Sequence, residues 1–301
     1  MIKRTLYFGQ PAKLRLQNEQ LKVEYDDELK MESKLVPIED IGIVVLDHYQ
    51  ITFTQGLTLA LLQNNAAMLW CDGRHLPAGL VLPFEGNSEL TEKLRYQLEA
   101  SEPLKKNLWK LTIQQKIKNQ AAVLKHFNRP YQSLTELAKR TTSGDTENTE
   151  AQAAAIYWRT LFDPEKGFRR GRYEDAPNNL LNYGYAILRA VVARSLVGSG
   201  MLPALGIHHR NKYNPFCLAD DIMEPYRPYV DKLVVEYILK RNEALGEELD
   251  KDSKIQMLAI PALDVEIENQ KSPLMVAMQR TTSSLMKCFE GEGRRIAYPE
   301  I

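Results

Sequence analysis

Three cysteines, Cys71, Cys217 and Cys288, are all that the 301 residues contain, and no two stand in a CxxC spacing. That leaves neither a disulfide framework nor a thiolate zinc site, and the three read as ordinary core or surface thiols. No charge of one sign is in excess: 39 Lys and Arg balance 39 Asp and Glu. Net charge therefore gives no support for a nucleic-acid partner, which would need local basic surfaces. No stretch reaches the roughly 18 apolar residues of a membrane span, and Met1-Ile-Lys-Arg-Thr leads into a strand-like run in place of a signal segment. The expectation is a cytoplasmic protein without membrane contact. Repeats and low-complexity tracts are also absent. What is present is a 44% apolar composition, ample for a core in one large domain or two ordinary ones.

From Thr5 to Pro83 the apolar residues alternate with polar ones. Leu14, Leu16, Leu21, Val23 and Tyr25 predict a half-buried hairpin turning at Asn18 to Gln20. Further strands fit Ile41 to Asp47, Ala66 to Asp72 and Leu76 to Pro83, with a short helix over Thr54 to Gln63. After Phe84 the spacing becomes helical, as in Leu94, Leu98, Leu104, Leu108, Leu111, Ile117, Ala121 and Leu124. Helices are expected near 88–100, 103–127, 131–139, 147–162, 177–199, 219–245 and 273–289, with Pro103, Pro177 and Pro225 in first turns. The charged stretch Lys240 to Lys254 reads as a solvated helix end and surface turn. The fold class is therefore α+β: a small, mostly β N-terminal domain over 1–85, then a larger all-α domain over 86–301.

Three loci concentrate reactive side chains. His208, His209 and Arg210, followed by Asp220, Asp221 and Glu224, place two imidazoles and three carboxylates within twenty residues. Such mixed nitrogen and oxygen donors suit Mn²⁺ or Mg²⁺ at a phosphate-processing site better than structural zinc. Asp221 and Glu224, three apart, share one helix face; the same spacing also describes a solvated face. Asp145, Glu147 and Glu150 precede a helix capped by Asn148 or Thr149, where acids also complement the helix dipole. Lys166, Phe168, Arg169, Arg170, Arg172 and Tyr173 form a basic, aromatic loop able to hold phosphates and stack on bases, or to serve as plain surface.

In this order the loci resemble the CRISPR-associated integrase family of spacer acquisition. Glu150 is followed at the family's spacing by Tyr157 and Trp158. An Asn-rich aromatic helix start reappears as Pro177-Asn-Asn-Leu-Leu-Asn182-Tyr-Gly-Tyr185. The family's Gly-Leu-x-Pro-x-Leu-Gly-x-x-His is matched by Gly200-Met-Leu-Pro203-Ala-Leu-Gly206-Ile-His-His209. Its Asp-x-Met-Glu-Pro-Phe-Arg-Pro is matched by Asp221-Ile-Met-Glu224-Pro-Tyr-Arg227-Pro.

The resemblance implies a catalytic helical domain, dimerisation involving the β domain, and a Mg²⁺ or Mn²⁺ ion held by Glu150, His209 and Glu224, with Asp221 as an adjacent acid. The basic loop, read by itself, offers Lys166, Arg169, Arg170 and Arg172 as candidate DNA contacts. The activity implied is metal-dependent DNA endonuclease and integrase chemistry, in which a 3′-hydroxyl joins spacer DNA to a repeat by transesterification. The partners implied are DNA, a second copy of the chain and a small ferredoxin-like nuclease. Glu at position 224 resembles the type II branch, which adds the effector nuclease. Two rivals remain: a general metal-dependent repair nuclease, and a non-catalytic DNA-binding scaffold in which the acids are caps and the imidazoles satisfied core groups.

Overall fold

The computed structural model describes residues 3–25, 31–73, 75–84, 86–162, 168–171, 176–241, 246 and 248–301. After β1 (Arg4–Phe8), strands β2 (Lys13–Gln17) and β3 (Gln20–Glu24) pair antiparallel. Asn18 and Glu19 between them adopt φ values of 48° and 57°, the left-handed pair that a two-residue hairpin turn matching the strand twist requires. Strands β4 (Lys34–Pro37) and β6 (Thr52–Phe53) complete a sheet of order β4-β3-β2-β6. A second sheet, of order β1-β5-β7-β8, contains β5 (Ile41–Leu46), β7 (Ala67–Cys71) and β8 (Pro77–Val81). Between β6 and β7, α1 (Gln55–Gln63) is capped by the Thr54 side chain, which accepts from the Leu57 N–H.

Every residue of β5 is buried, because its sheet is covered on both faces. Val44, Leu46 and Met68 face a small core shared with the first sheet, whereas Ile43, Val45, Ala67 and Leu69 join the large core of the helical body. The β layer and the helices thus share a core.

The helical body comprises α2 (Leu90–Glu99), α3 (Glu102–His126), α4 (Gln132–Arg140), α5 (Thr149–Leu161) and α6 (Asn178–Gly198). It continues with α7 (Cys217–Met223), α8 (Arg227–Lys240), α9 (Lys251–Leu258) and α10 (Leu274–Phe289). Strands first and helices after is the order expected, with three corrections. The helix expected over 219–245 is broken by a 3-10 turn at Glu224–Tyr226, where Pro225 and Pro228 have no N–H to continue the ladder; residues 242–245 lie outside the described ones. An antiparallel hairpin of β9 (Asp264–Ile267) and β10 (Gln270–Pro273) interrupts the otherwise helical remainder. Lys254, expected on a solvated surface, is buried on α9 and pairs at 3.1 Å with the buried Asp47. Among the described residues no helix is long and apolar enough to cross a membrane.

Candidate active site

Helix α3 is the axis of the site. Its buried face includes Leu108, Trp109, Thr112 and Ile113 and continues with Lys116, Asn119 and Gln120. Against it rest the start of α5, the loop carrying His208 and His209, and the turn that carries Glu224.

Each acid is delivered by a local device. Asp145 caps α5: its carboxylate accepts the Thr149 N–H at 2.8 Å and the Glu150 N–H at 3.0 Å. The expected cap, Asn148 or Thr149, is replaced by this earlier acid, while Asn148 adopts left-handed φ without a side-chain cap. Glu150 thus sits in the first turn, where unpaired N–H groups favour an anion. Asn119 donates 2.7 Å to the Pro225 carbonyl and 2.9 Å to that of Pro299, fixing the Glu224 turn against α3.

Asp221, fully buried, organises the histidine loop. It accepts the His208 N–H at 2.9 Å, the His209 N–H at 3.3 Å and the His209 Nδ1 at 2.5 Å. His209 alone of the pair is bonded to Asp221 through its ring; His208 stacks on Trp109 with ring centres 4.1 Å apart. The loop is bent, not extended, so the two rings meet edge to face at 5.3 Å and do not point to opposite sides. The hydrogen bond that His209 donates to Asp221 raises the His209 pKa above its ordinary value, whereas burial lowers that of His208.

Glu150 Oε1 and Glu224 Oε2 both lie 2.6 Å from the Lys116 ammonium, and Arg227 stands 3.0 Å from Glu224 Oε1. Burial by itself would push the Glu224 carboxyl up. Arg227 and Lys116 outweigh it and hold the group below the usual carboxylate range. Burial likewise opposes the Lys116 charge, but Glu224 and Glu150 keep its pKa above normal. On the solvent side of His209 lies a cleft of about 670 Å³, walled in part by Lys105, Arg210, Asn211, Lys212 and Tyr213.

The family profile described as CRISPR associated protein Cas1 matches residues 6–259. The chain belongs to the Cas1 family. It is 38% identical over 301 residues to the CRISPR-associated endonuclease Cas1 of Neisseria meningitidis serogroup C (strain 8013), covering 99% of this chain and 96% of the relative. Two solved structures share the fold. "Casposase bound to integration product" superposes with a TM-score of 0.80 at 17% identity, over 98% of this chain and 92% of that one. "Cas6-RT-Cas1--Cas2 complex" does so with 0.74 at 20% identity, over 98% of this chain and 36% of that one.

Among the described residues of this Cas1-family chain, no three His, Cys, Asp or Glu side chains stand close enough to hold a metal as they are placed. The donor set nevertheless fits a divalent cation on three counts. Two carboxylates converge on one positive charge. Glu224 Oε2 is buried without an aligned hydrogen-bond donor, even though the ammonium touches it. His209 commits Nδ1 to Asp221, which leaves Nε2 for coordination, the usual arrangement behind a metal-bound imidazole.

Sequence reasoning missed Lys116 and Asn119, and the roles of Arg227 and Gly206. A β-carbon on Gly206 would overlap the His209 carbonyl oxygen and stand 2.8 Å from Asp221 Oδ2. The signal for Lys116 is a lysine three residues after Ile113 on an apolar helical face. In the basic loop, Lys166 and Arg172 lie outside the described residues. Arg169 is exposed. Arg170 turns inward to Asn178 at 3.0 Å and Asn182 at 2.7 Å, beneath the rings of Trp158 and Tyr185. Its donors are therefore engaged inside the protein.

Proposed function

We propose that this chain is a DNA endonuclease and integrase of CRISPR adaptation, with Glu150, His209 and Glu224 as the ligands of a Mg²⁺ or Mn²⁺ ion. The observation that carries the reading is the convergence of two glutamates on one cation beside an imidazole whose Nδ1 is already engaged by Asp221. When bound, the ion would neutralise a scissile phosphate and help align the attacking oxygen.

The chain's own residues supply the rest. Asp221 fixes the tautomer and orientation of His209. The Trp109–His208 stack closes the apolar side of the site. Lys105, Arg210 and Lys212 line the adjoining cleft; Lys105 and Arg210 share the single carboxylate of Glu102, which leaves a positive surplus for a DNA backbone. In the joining reaction a 3′-oxygen of captured DNA forms a bond to phosphorus as the bond to the departing 3′-oxygen of the repeat breaks. The proton passes from the attacking to the departing oxygen, and one diester replaces another. Water in place of the hydroxyl gives a nick. A second copy of the chain, a small partner such as the Cas2 named with the structural neighbour, and the effector nuclease of a type II system complete the assembly, in the cytoplasm. Residues 1–85 serve dimerisation and 86–301 catalysis.

The test is joining on a supercoiled, repeat-bearing plasmid by the purified chain with its small partner. Glu150→Ala and His209→Ala abolish joining with little loss of DNA affinity, and His208→Ala retains it. Cutting without joining would point to a repair nuclease. Joining that survives Glu150→Ala or thorough chelation would overturn the assignment.

A further inference from the structure

The Lys116 side chain occupies the place where the two glutamates converge. It is 8% exposed, and its ammonium contacts Glu150 and Glu224 at 2.6 Å each. With Arg227 beside Glu224, two cations already balance two carboxylates. A divalent ion on the same oxygens would meet an ammonium within contact distance, and like charges that close repel strongly where water is excluded. Both cannot hold the carboxylates together.

One turn further along the same helix face stands Gln120, 3% exposed, whose side-chain oxygen has no hydrogen-bond partner among the described residues. Residues four apart on a helix are neighbours, and a lysine stem has the reach and rotatable bonds to aim at either end of such a pair. A buried acceptor without a donor is costly, so an ammonium arriving there would satisfy it.

We infer that Lys116 is a resident counter-cation that competes with the divalent ion for Glu150 and Glu224, and that it yields them by transferring its ammonium to the oxygen of Gln120. In the protein as it stands the lysine keeps the buried Glu224 and the half-buried Glu150 from repelling each other. It also weakens the site for metal, so that tight binding waits for the additional negative charge of a DNA phosphate. The inference rests on the reading of Glu150 and Glu224 as ligands.

The experiment is calorimetric titration of the full chain with MnCl₂, together with thermal unfolding with and without MnCl₂. Lys116→Met is expected to melt lower without Mn²⁺, to bind Mn²⁺ at least tenfold more tightly than wild type, and to gain more in Tm from it. Lys116→Arg, permanently charged and forked, is expected to bind more weakly than wild type. Gln120→Leu is expected to do the same without loss of stability, because the displaced ammonium has lost its acceptor. Lys116→Met binding Mn²⁺ no better than wild type would overturn the inference and make the lysine a fixed strut. If Lys116→Met does not fold, the inference is overturned when neither Lys116→Arg nor Gln120→Leu weakens binding. Glu150→Gln separates the two levels: wild-type Mn²⁺ binding in that variant would refute the ligand reading itself.

Discussion

Replacing Asp221 by Asn changes one oxygen to an amide nitrogen and removes a charge, yet every group around it is a donor. Oδ2 accepts the His208 N–H at 2.9 Å; Oδ1 accepts the His209 N–H at 3.3 Å and its Nδ1 at 2.5 Å. The less damaging orientation of the amide keeps oxygen at the His209 side and turns NH₂ against the His208 N–H. One buried donor is then unpaired, which costs about 1–3 kcal/mol. Relief of the buried charge, whose desolvation raises the Asp221 pKa, offsets part of it. The surviving bond to His209 is neutral where it was charge-assisted, and it no longer selects the protonated imidazole. Two assays follow. His209, followed by NMR titration, should lose its upward pKa shift, because its largest cause is the hydrogen bond to Asp221. Mn²⁺ affinity should fall by about 10–100-fold, the usual effect of removing a carboxylate behind a ligating imidazole. The linkage has a sign. A His whose folded pKa is raised contributes stability that is fully present below its unfolded value of 6.5 and is lost as pH rises through the folded value. Asp221→Asn should flatten that decline. An unchanged His209 titration with unchanged Mn²⁺ affinity would refute the orienting role.

Gly206→Ala should lower stability by roughly 1–3 kcal/mol, because its β-carbon would overlap the backbone of His209, and DNA joining should fall with it; a wild-type Tm would show that the loop yields freely. Asp231, buried and pushed up to about 7 by desolvation against the opposing bonds from Tyr185 and Tyr157, carries the opposite linkage to an ordinary ion-paired acid. Its folded pKa lies above the unfolded value of 3.8, so the cost of ionising it accumulates as pH rises from about 4 to 7. Urea unfolding should show wild type losing stability relative to Asp231→Asn across that window, by roughly 4 kcal/mol if the whole shift is realised. Parallel curves for the two proteins would refute it.

The parts of the fold legible in sequence are those set by local periodicity. The β2–β3 hairpin follows from alternation around Asn18 and Glu19, and the long helices from the spacing of Leu and Ile. The same logic offered the β9–β10 hairpin, since Val265 and Ile267 alternate before Glu268 and Asn269, whose φ values of 50° and 60° make a tight turn; four-residue strands are short enough to pass as loop. Motif order singled out Glu150, His209, Asp221 and Glu224 as candidates; the fold brings Glu150 and Glu224 together on Lys116 and pairs Asp221 with His209. The site was illegible where contacts are long-range. Lys116 is 34 residues from Glu150, and Asn119 holds a carbonyl 106 residues away, pairings that no spacing announces. Asp145 as the cap of α5 escaped notice because the residues at 146–148 form a turn that lets an acid four positions back reach the helix N–H groups.

Anomalous diffraction from crystals of the wild-type chain soaked in MnCl₂ tests the central claim most directly. The account predicts one dominant peak within about 2.0–2.3 Å of a Glu150 oxygen, a Glu224 oxygen and His209 Nε2, with Asp221 still on Nδ1. A dominant peak elsewhere, or one ligated by His208 in place of His209, would contradict it.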